Sequence, residues 1–337
     1  MKMKMKTTRA SAIAVGLFTV LASGLLTPDQ ARAEKKRPII DTHIHFYQVT
    51  APGGIPWPSA KQKLIYRDVV PAEYKEVAKK NGITGAVIVE ANPTVKENFR
   101  VLDLVKGDPL FRGLVGNVEI GTPDFAANLD KLTKDKRVVG IRGFLWAPTL
   151  TLDEKQLADL KVLEARGLTL DIISRNTLNP KDKVDALAKA VPNLRIIIDH
   201  LAGAKGAQVD PTWAEWMHKL AQNKNIYIKF SSFFDMFNPA ATEDEPWKAP
   251  TDLASYKPHF DVLLKEFGAD RLLFGSNWPV VALGGDVATE IAIAEEYLKA
   301  QGDDVRDKIM YKNAEKFYQR HPIKETANKT AKETAKK

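Results

Sequence analysis

The chain has 337 residues, no cysteine, 44% hydrophobic residues and a formal net charge of +8. That length can bury a sizeable core, and the missing cysteines exclude disulfides and thiolate metal sites. The charge sits at the ends: residues 1–33 contribute a net +4 and residues 324–337 a net +3, which leaves +1 for the body and no electrostatic case for nucleic acid binding.

In chain order, residues 1–9 are basic, residues 10–26 are small and apolar, and Ala31-Arg32-Ala33 puts small residues where a signal peptidase reads them. The pattern predicts a secretory signal peptide over 1–33, cleaved after Ala33. The expected mature protein is periplasmic or secreted. It keeps no stable membrane anchor, because the apolar run is short for a span of about 20 residues.

From residue 37 to 320, short β-rich apolar runs alternate with segments of helical spacing. The runs cover 37–45, 84–90, 112–119, 138–144, 168–173, 194–200, 225–231 and 271–277. Helical spacing appears at 71–82 and 153–167, the latter closing on Arg166-Gly167, a basic last turn with a glycine stop. Eight such units predict a single-domain α/β fold, a (β/α)₈ TIM barrel over 34–323, since near-continuous apolar strands suit a parallel sheet covered by helices. A doubly wound open sheet would carry a glycine-rich phosphate turn after its first strand, where this chain has His45-Phe46-Tyr47-Gln48. Residues 324–337, K-E-T-A-N-K-T-A-K-E-T-A-K-K, lack large apolar side chains and read as a frayed or disordered tail.

Barrels place catalytic groups at the C-terminal ends of their strands. Those ends carry His43 and His45, Glu90, Glu119, Arg142, Asp171, His200, Lys229 and Asn277. On an ideal strand Asp41, His43 and His45 share a face, and two imidazoles at that spacing can share a metal ion. The long segment 51–68 reads as a loop over the mouth, with Trp57 and Tyr66 suited to pack on a sugar-like ring. A second loop, 234–250, carries acids that bind a ligand or are simply solvated.

The sequence resembles the amidohydrolase superfamily in its amidohydrolase-2 branch. The matching stretches are D-T-H-I-H-F (41–46), P-W-P-S with I-Y-R-D (56–68), V-V-G-I-R (138–142), I-D-H-L-A-G (198–203), I-Y-I-K-F-S (226–231) and K-E-F-G-A-D-R-L-L-F-G-S-N-W-P-V (265–280). The resemblance implies a hydrolase of the lactonase type, opening a sugar lactone or a small carboxylated lactone. It implies that His43, His45 and His200 hold one divalent metal ion, Zn or Mn, with no organic cofactor. His200 would polarise the substrate carbonyl or orient water, Arg142 would anchor an oxyanion or carboxylate, and Lys229 would be a second cation at the rim. The fourth strand has no bridging lysine and the fifth no histidine, which points away from a binuclear centre. The family's G-S-D-W-P reads G-S-N-W-P here, and the Asn277 amide cannot take a proton from water. Glu90 and Asp171 are then the candidate bases, with Asp41 fixing a histidine tautomer. Two alternatives stay open: a non-catalytic barrel that binds a small molecule, and a metal-dependent decarboxylase.

Overall fold

The computed structural model describes residues 37–51, 54–145, 149–173, 181–238 and 246–320. The expected signal peptide and the lysine-rich tail lie outside them. Eight strands follow the chain: β1 (Ile40–Ile44), β2 (Gly85–Val89), β3 (Phe111–Gly116), β4 (Val138–Arg142), β5 (Thr169–Ile172), β6 (Arg195–Ile198), β7 (Ile226–Ser231) and β8 (Leu272–Gly275). Each pairs in parallel with the next in sequence order. The ring closes where Ile44 bridges Trp278 and the His45 N–H donates to the Trp278 carbonyl at 2.9 Å.

Helices α1 (Pro71–Asn81), α2 (Val95–Leu104), α3 (Phe125–Leu132), α4 (Glu154–Ala165), α5 (Lys181–Ala190), α6 (Pro211–Ala221), α7 (Lys257–Phe267) and α8 (Val287–Gln301) separate the strands and follow the last one. α9 (Asp303–Asp307) and α10 (Asn313–Phe317) complete the described chain. Local chemistry sets the ends. Pro71 opens α1, and Gly82 closes it at φ 70, a left-handed stop suited to glycine. Asp153 and Asp286 cap α4 and α8 by accepting the backbone N–H groups of Gln156 and Thr289. Among the described residues no helix is long and apolar enough to cross a membrane.

Burial falls into two layers. Ile44, Ile88, Leu114, Leu170, Ile198 and Phe274 belong to a large cluster shared with the helices. Ile40, Val87, Val115, Val139, Ile197 and Leu273 form a second cluster inside the barrel, sealed from below by Phe317 and Tyr318. The barrel is therefore packed rather than hollow, which leaves chemistry to the strand ends.

Two expectations fail here. The pairing of β1 shifts between Asp41 and Ile44, and this bulge breaks the alternation that would aim Asp41 with the histidine rings. The Asp41 carboxylate instead takes hydrogen bonds from Tyr74 of α1, from Ser276 and from the His43 backbone N–H. It ties β1 to β8 and touches no imidazole nitrogen. Glu119 lies past the end of β3 and is exposed.

Candidate active site

A cavity of about 360 Å³ opens at the C-terminal ends of the strands, with His45, Trp57, Arg142, His200, Asp235 and Asn277 in its wall. It shares Trp57, His200 and Asp235 with a second lobe of about 330 Å³ that also reaches Asp199 and Ser232. Trp57 sits with its ring 5.4 Å from the His45 ring, so part of the 51–68 loop does cover the mouth.

Beneath this cavity lies an ionic layer. Lys229, Asp171 and Asp199 have no solvent exposure. The Lys229 ammonium donates to Asp171 Oδ2 at 2.5 Å and to His43 Nδ1 at 3.0 Å. It also stands 3.1 Å from Asp199 Oδ1, an ion pair without hydrogen-bond alignment. Tyr318 reaches up from the floor to give Asp171 a second donor at 3.2 Å. Burial raises the Asp171 pKa to about 6 against the pull of Lys229. Burial would raise Asp199 as well, but Lys229 and His43 hold it well below the usual carboxylate range.

The proton inventory of the two β1 histidines follows from these partners. An ammonium only donates, so His43 Nδ1 accepts and the ring carries its proton on Nε2. That proton points at His45 Nε2, 3.2 Å away. The other His45 nitrogen, Nδ1, lies 2.9 Å from the Val89 carbonyl, which can only accept. Burial, reinforced by Lys229, keeps His43 well below its ordinary pKa, and burial with Arg142 lowers His45 to about 3. Both rings are neutral at pH 7.

Two further pairings shape the wall. Arg142 donates through Nε to Glu90 Oε1 at 2.7 Å and through Nη2 to the Glu90 carbonyl at 2.6 Å, while Nη1 lies 3.9 Å from Asp199. Across the mouth, Asn277 Nδ2 donates to Ser232 Oγ at 2.8 Å, and that hydroxyl donates to Asp235 Oδ2 at 2.7 Å. Four buried acceptor atoms here have no hydrogen-bond donor: Asn277 Oδ1, Asp171 Oδ1 and both oxygens of Asp199. Buried acceptors are seldom left so, which marks the place where a ligand belongs.

The donor set fits a divalent metal ion. His43, Asp199 and His200 offer ligating atoms within 4.8 Å of one another. Neutral imidazoles with a carboxylate suit Zn or Mn, and the His45 Nδ1–H held by a backbone carbonyl leaves Nε2 as an acceptor. His43 is different: its Nε2 proton would have to move to Nδ1, where Asp199 Oδ1 stands 3.5 Å away.

The structure brings His43, His45, His200, Arg142, Asn277 and Trp57 together at one mouth. Glu90 and Asp171 are close by but engaged, Glu90 by Arg142 and Asp171 by Lys229, and neither lines the cavity. Lys229 lies below the rim, not on it, because it points into the barrel two residues before the end of β7. Tyr66 is 38% exposed and outside the cavity wall. Sequence reasoning missed Asp199 and Ser232, and had Asp235 only as one of the acids of the 234–250 loop, either binding or solvated. For Asp199 a signal was present: Ile197 faces the barrel interior, and the strand period places residue 199 on that same side.

Residues 40–320 match the model of the family described as amidohydrolase. A curated L-fucono-1,5-lactonase of Burkholderia ambifaria is 30% identical over 291 residues, covering 83% of this chain and 94% of that protein. An L-rhamnono-gamma-lactonase of Scheffersomyces stipitis is 27% identical over 202 residues, 53% of this chain and 59% of that protein. Among solved structures, an amidohydrolase of Burkholderia multivorans crystallised with bound zinc superposes with a TM-score of 0.73 at 20% identity, over 84% of this chain and 99% of that one.

Proposed function

The chain belongs to the amidohydrolase family and is a hydrolase, and from that premise we propose that it opens the ring of a sugar-acid lactone by attack of water at the barrel mouth. The observation that carries this reading is the convergence of His45, His200 and the Arg142 guanidinium on one cavity of about 360 Å³, large enough for a single sugar ring. The two lactonases among the relatives support the substrate class.

Each group has a task that follows from its surroundings. Glu90 holds the Arg142 guanidinium by Nε and Nη2, so Arg142 presents a fixed positive charge to the oxygen that becomes negative in the transition state. His200 rests its Nδ1 3.1 Å from Ser231 Oγ and reaches the cavity from a left-handed turn at φ 56. From there its other nitrogen faces the substrate and, when it holds no metal ion, can donate a hydrogen bond to the lactone carbonyl. Trp57 offers a flat apolar wall to the sugar face. Asn277 lines the cavity, and its Oδ1 is buried without a donor. A single metal ion, held by His43, Asp199 and His200 with His45 beside them, would supply Lewis-acid polarisation of the carbonyl. We also propose that the protein acts outside the cytoplasm, on the strength of its N-terminal pattern; recovered protein should begin near Glu34, and an intact Met1 would refute export.

The test is titration at constant pH of purified protein on a panel of aldono-1,5- and aldono-1,4-lactones, with metal content measured on the same sample. Base consumption without CO₂ release is expected. Release of CO₂ from a hydroxybenzoate would favour the decarboxylase reading, and saturable binding without turnover would end the catalytic one.

A further inference from the structure

Hydrolysis at this mouth needs a group that takes a proton from water, and the family's carboxylate at that place is the amide of Asn277. We propose that the base is Asp235, carried on the short helical turn Phe233–Phe237 that follows β7. This rests on the lactonase reading given above.

The hydrogen bonds around Ser232 decide the arrangement. A carboxylate only accepts, so the single hydroxyl proton of Ser232 goes to Asp235 Oδ2 at 2.7 Å. Ser232 Oγ must then accept, and its donor is Asn277 Nδ2 at 2.8 Å. The direction of this chain fixes the flip of the Asn277 amide. Its oxygen is the atom left over, buried and without a donor. Asn277 and Asp235 stand at opposite ends of one serine, and both line the same cavity with His200. Ser232 is held in the left-handed region at φ 59 and Asn277 at φ 56, conformations that cost a serine or an asparagine something and persist where the surroundings enforce them. The other carboxylates are placed for different work: Glu90 orients Arg142, and Asp171 and Asp199 have no solvent exposure and share the Lys229 ammonium.

A water in the cavity beside Asp235 loses one hydrogen to the Asp235 carboxylate and keeps the other. Its oxygen forms the new bond to the lactone carbonyl carbon, and the carbonyl electron pair moves to oxygen beside Arg142. Collapse of the tetrahedral intermediate breaks the ring C–O bond. The departing alkoxide takes the proton from Asp235, which regenerates the carboxylate and leaves an open hydroxy acid. Asp235 thus performs the proton transfer that an aspartate at position 277 would perform, and Asn277 holds the serine that orients it.

The experiment is steady-state hydrolysis of the best lactone by wild type, Asp235→Asn, Asp235→Glu and the double variant Asp235→Asn with Asn277→Asp. Asp235→Asn should lower kcat by about 10²- to 10⁴-fold, the range of general-base catalysis, with KM changed far less. Asp235→Glu keeps the carboxylate and should stay well above it. The double variant reverses the serine chain, with the new amide donating to Ser232 and the new carboxylate accepting, and should recover at least tenfold over Asp235→Asn. A structural role for Asp235 would not be rescued from position 277. Asp235→Asn within threefold of wild type, Asp235→Glu below Asp235→Asn, or a double variant no better than Asp235→Asn would each overturn the assignment while leaving an active lactonase. A wild type that opens no lactone at all removes the lactonase reading and this proposal with it.

Discussion

At the lower end of the barrel Arg271 donates to five backbone carbonyls, those of Ala221, Asn223, Ile226, Glu266 and Phe267. Arg195 does the same for Gly167, Lys316, Phe317 and Gln319, and Asn313 bridges the carbonyls of Ala269 and Leu272. Five of these carbonyls close α6, α7 and α10, where the helix cannot satisfy them itself, and the rest lie in the turns and strand starts beside them. At the upper end the balance is reversed. Asn277 and Asp199 keep acceptor atoms without donors, and His200, Leu201, Ala202, Ser232 and Asn277 all take left-handed backbone angles. One end spends its polar groups on the fold, and the other holds them in readiness for something not made of protein.

This contrast can be broken, and Lys229 is the place where failure would be largest. Lys229→Met leaves Asp171 fully buried beside no cation, and Asp199 with only Arg142, 3.9 Å away. Breaking one side of a buried ion pair costs about 3–5 kcal/mol, so denaturant unfolding should show a loss of that size together with loss of activity. A loss below about 1 kcal/mol would mean that the ionic layer is not holding the upper half. Arg271→Met tests the lower end. Leaving buried carbonyls without a donor costs about 1–3 kcal/mol, and kcat per folded molecule should not change. A fall in kcat would show that the two ends are coupled. The pair His43→Ala with His45→Ala, which empties two buried positions, should abolish metal uptake as measured on the purified protein. Retained metal would place the ion elsewhere.

The smallest effect is a slope. Burial holds Asp171 at about 6 in the folded chain, above its ordinary value near 4, so between those values the folded chain binds a proton that the unfolded chain has released. Stability through this group therefore falls as the pH rises from about 4 to about 6. Asp171→Asn removes that dependence. The Tm difference between pH 4.5 and 6.5 should shift toward greater relative stability at the higher pH in the variant, and an unchanged difference would show that Asp171 does not titrate there.

The barrel was legible because its strands are parallel and buried on both faces. Seven of the eight apolar runs contain their strand, trimmed by up to three residues at an end where the chain turns into loop; the third begins one residue late, because β3 already starts at Phe111. His43, His45, Arg142, His200 and Asn277 were found by one rule, that chemistry sits where strands stop. The rule says nothing about depth, so Lys229, two residues early on β7, was taken for a rim group although it lies beneath the histidines. Nor does alternation survive a bulge, which is how Asp41 was aimed at the wrong partners. Asp235 and Ser232 had no periodic signal: they sit in a turn whose shape depends on contacts with β8 and with the loop that follows it.

The left-handed angle at position 277 has a consequence for how this enzyme could change over generations. Asparagine and aspartate are among the side chains that tolerate φ near 56 best, and they have nearly the same shape. Exchange between them meets almost no resistance from the backbone, whereas a leucine or valine at that angle would be strained. The backbone thus keeps only a short list of residues available at this spot and does not itself distinguish two that differ in charge and proton affinity, which the Ser232 hydrogen bond does. Selection at position 277 can act on chemistry with the architecture held constant, and a lineage could drift from one catalytic arrangement to the other and back without first having to repair its fold.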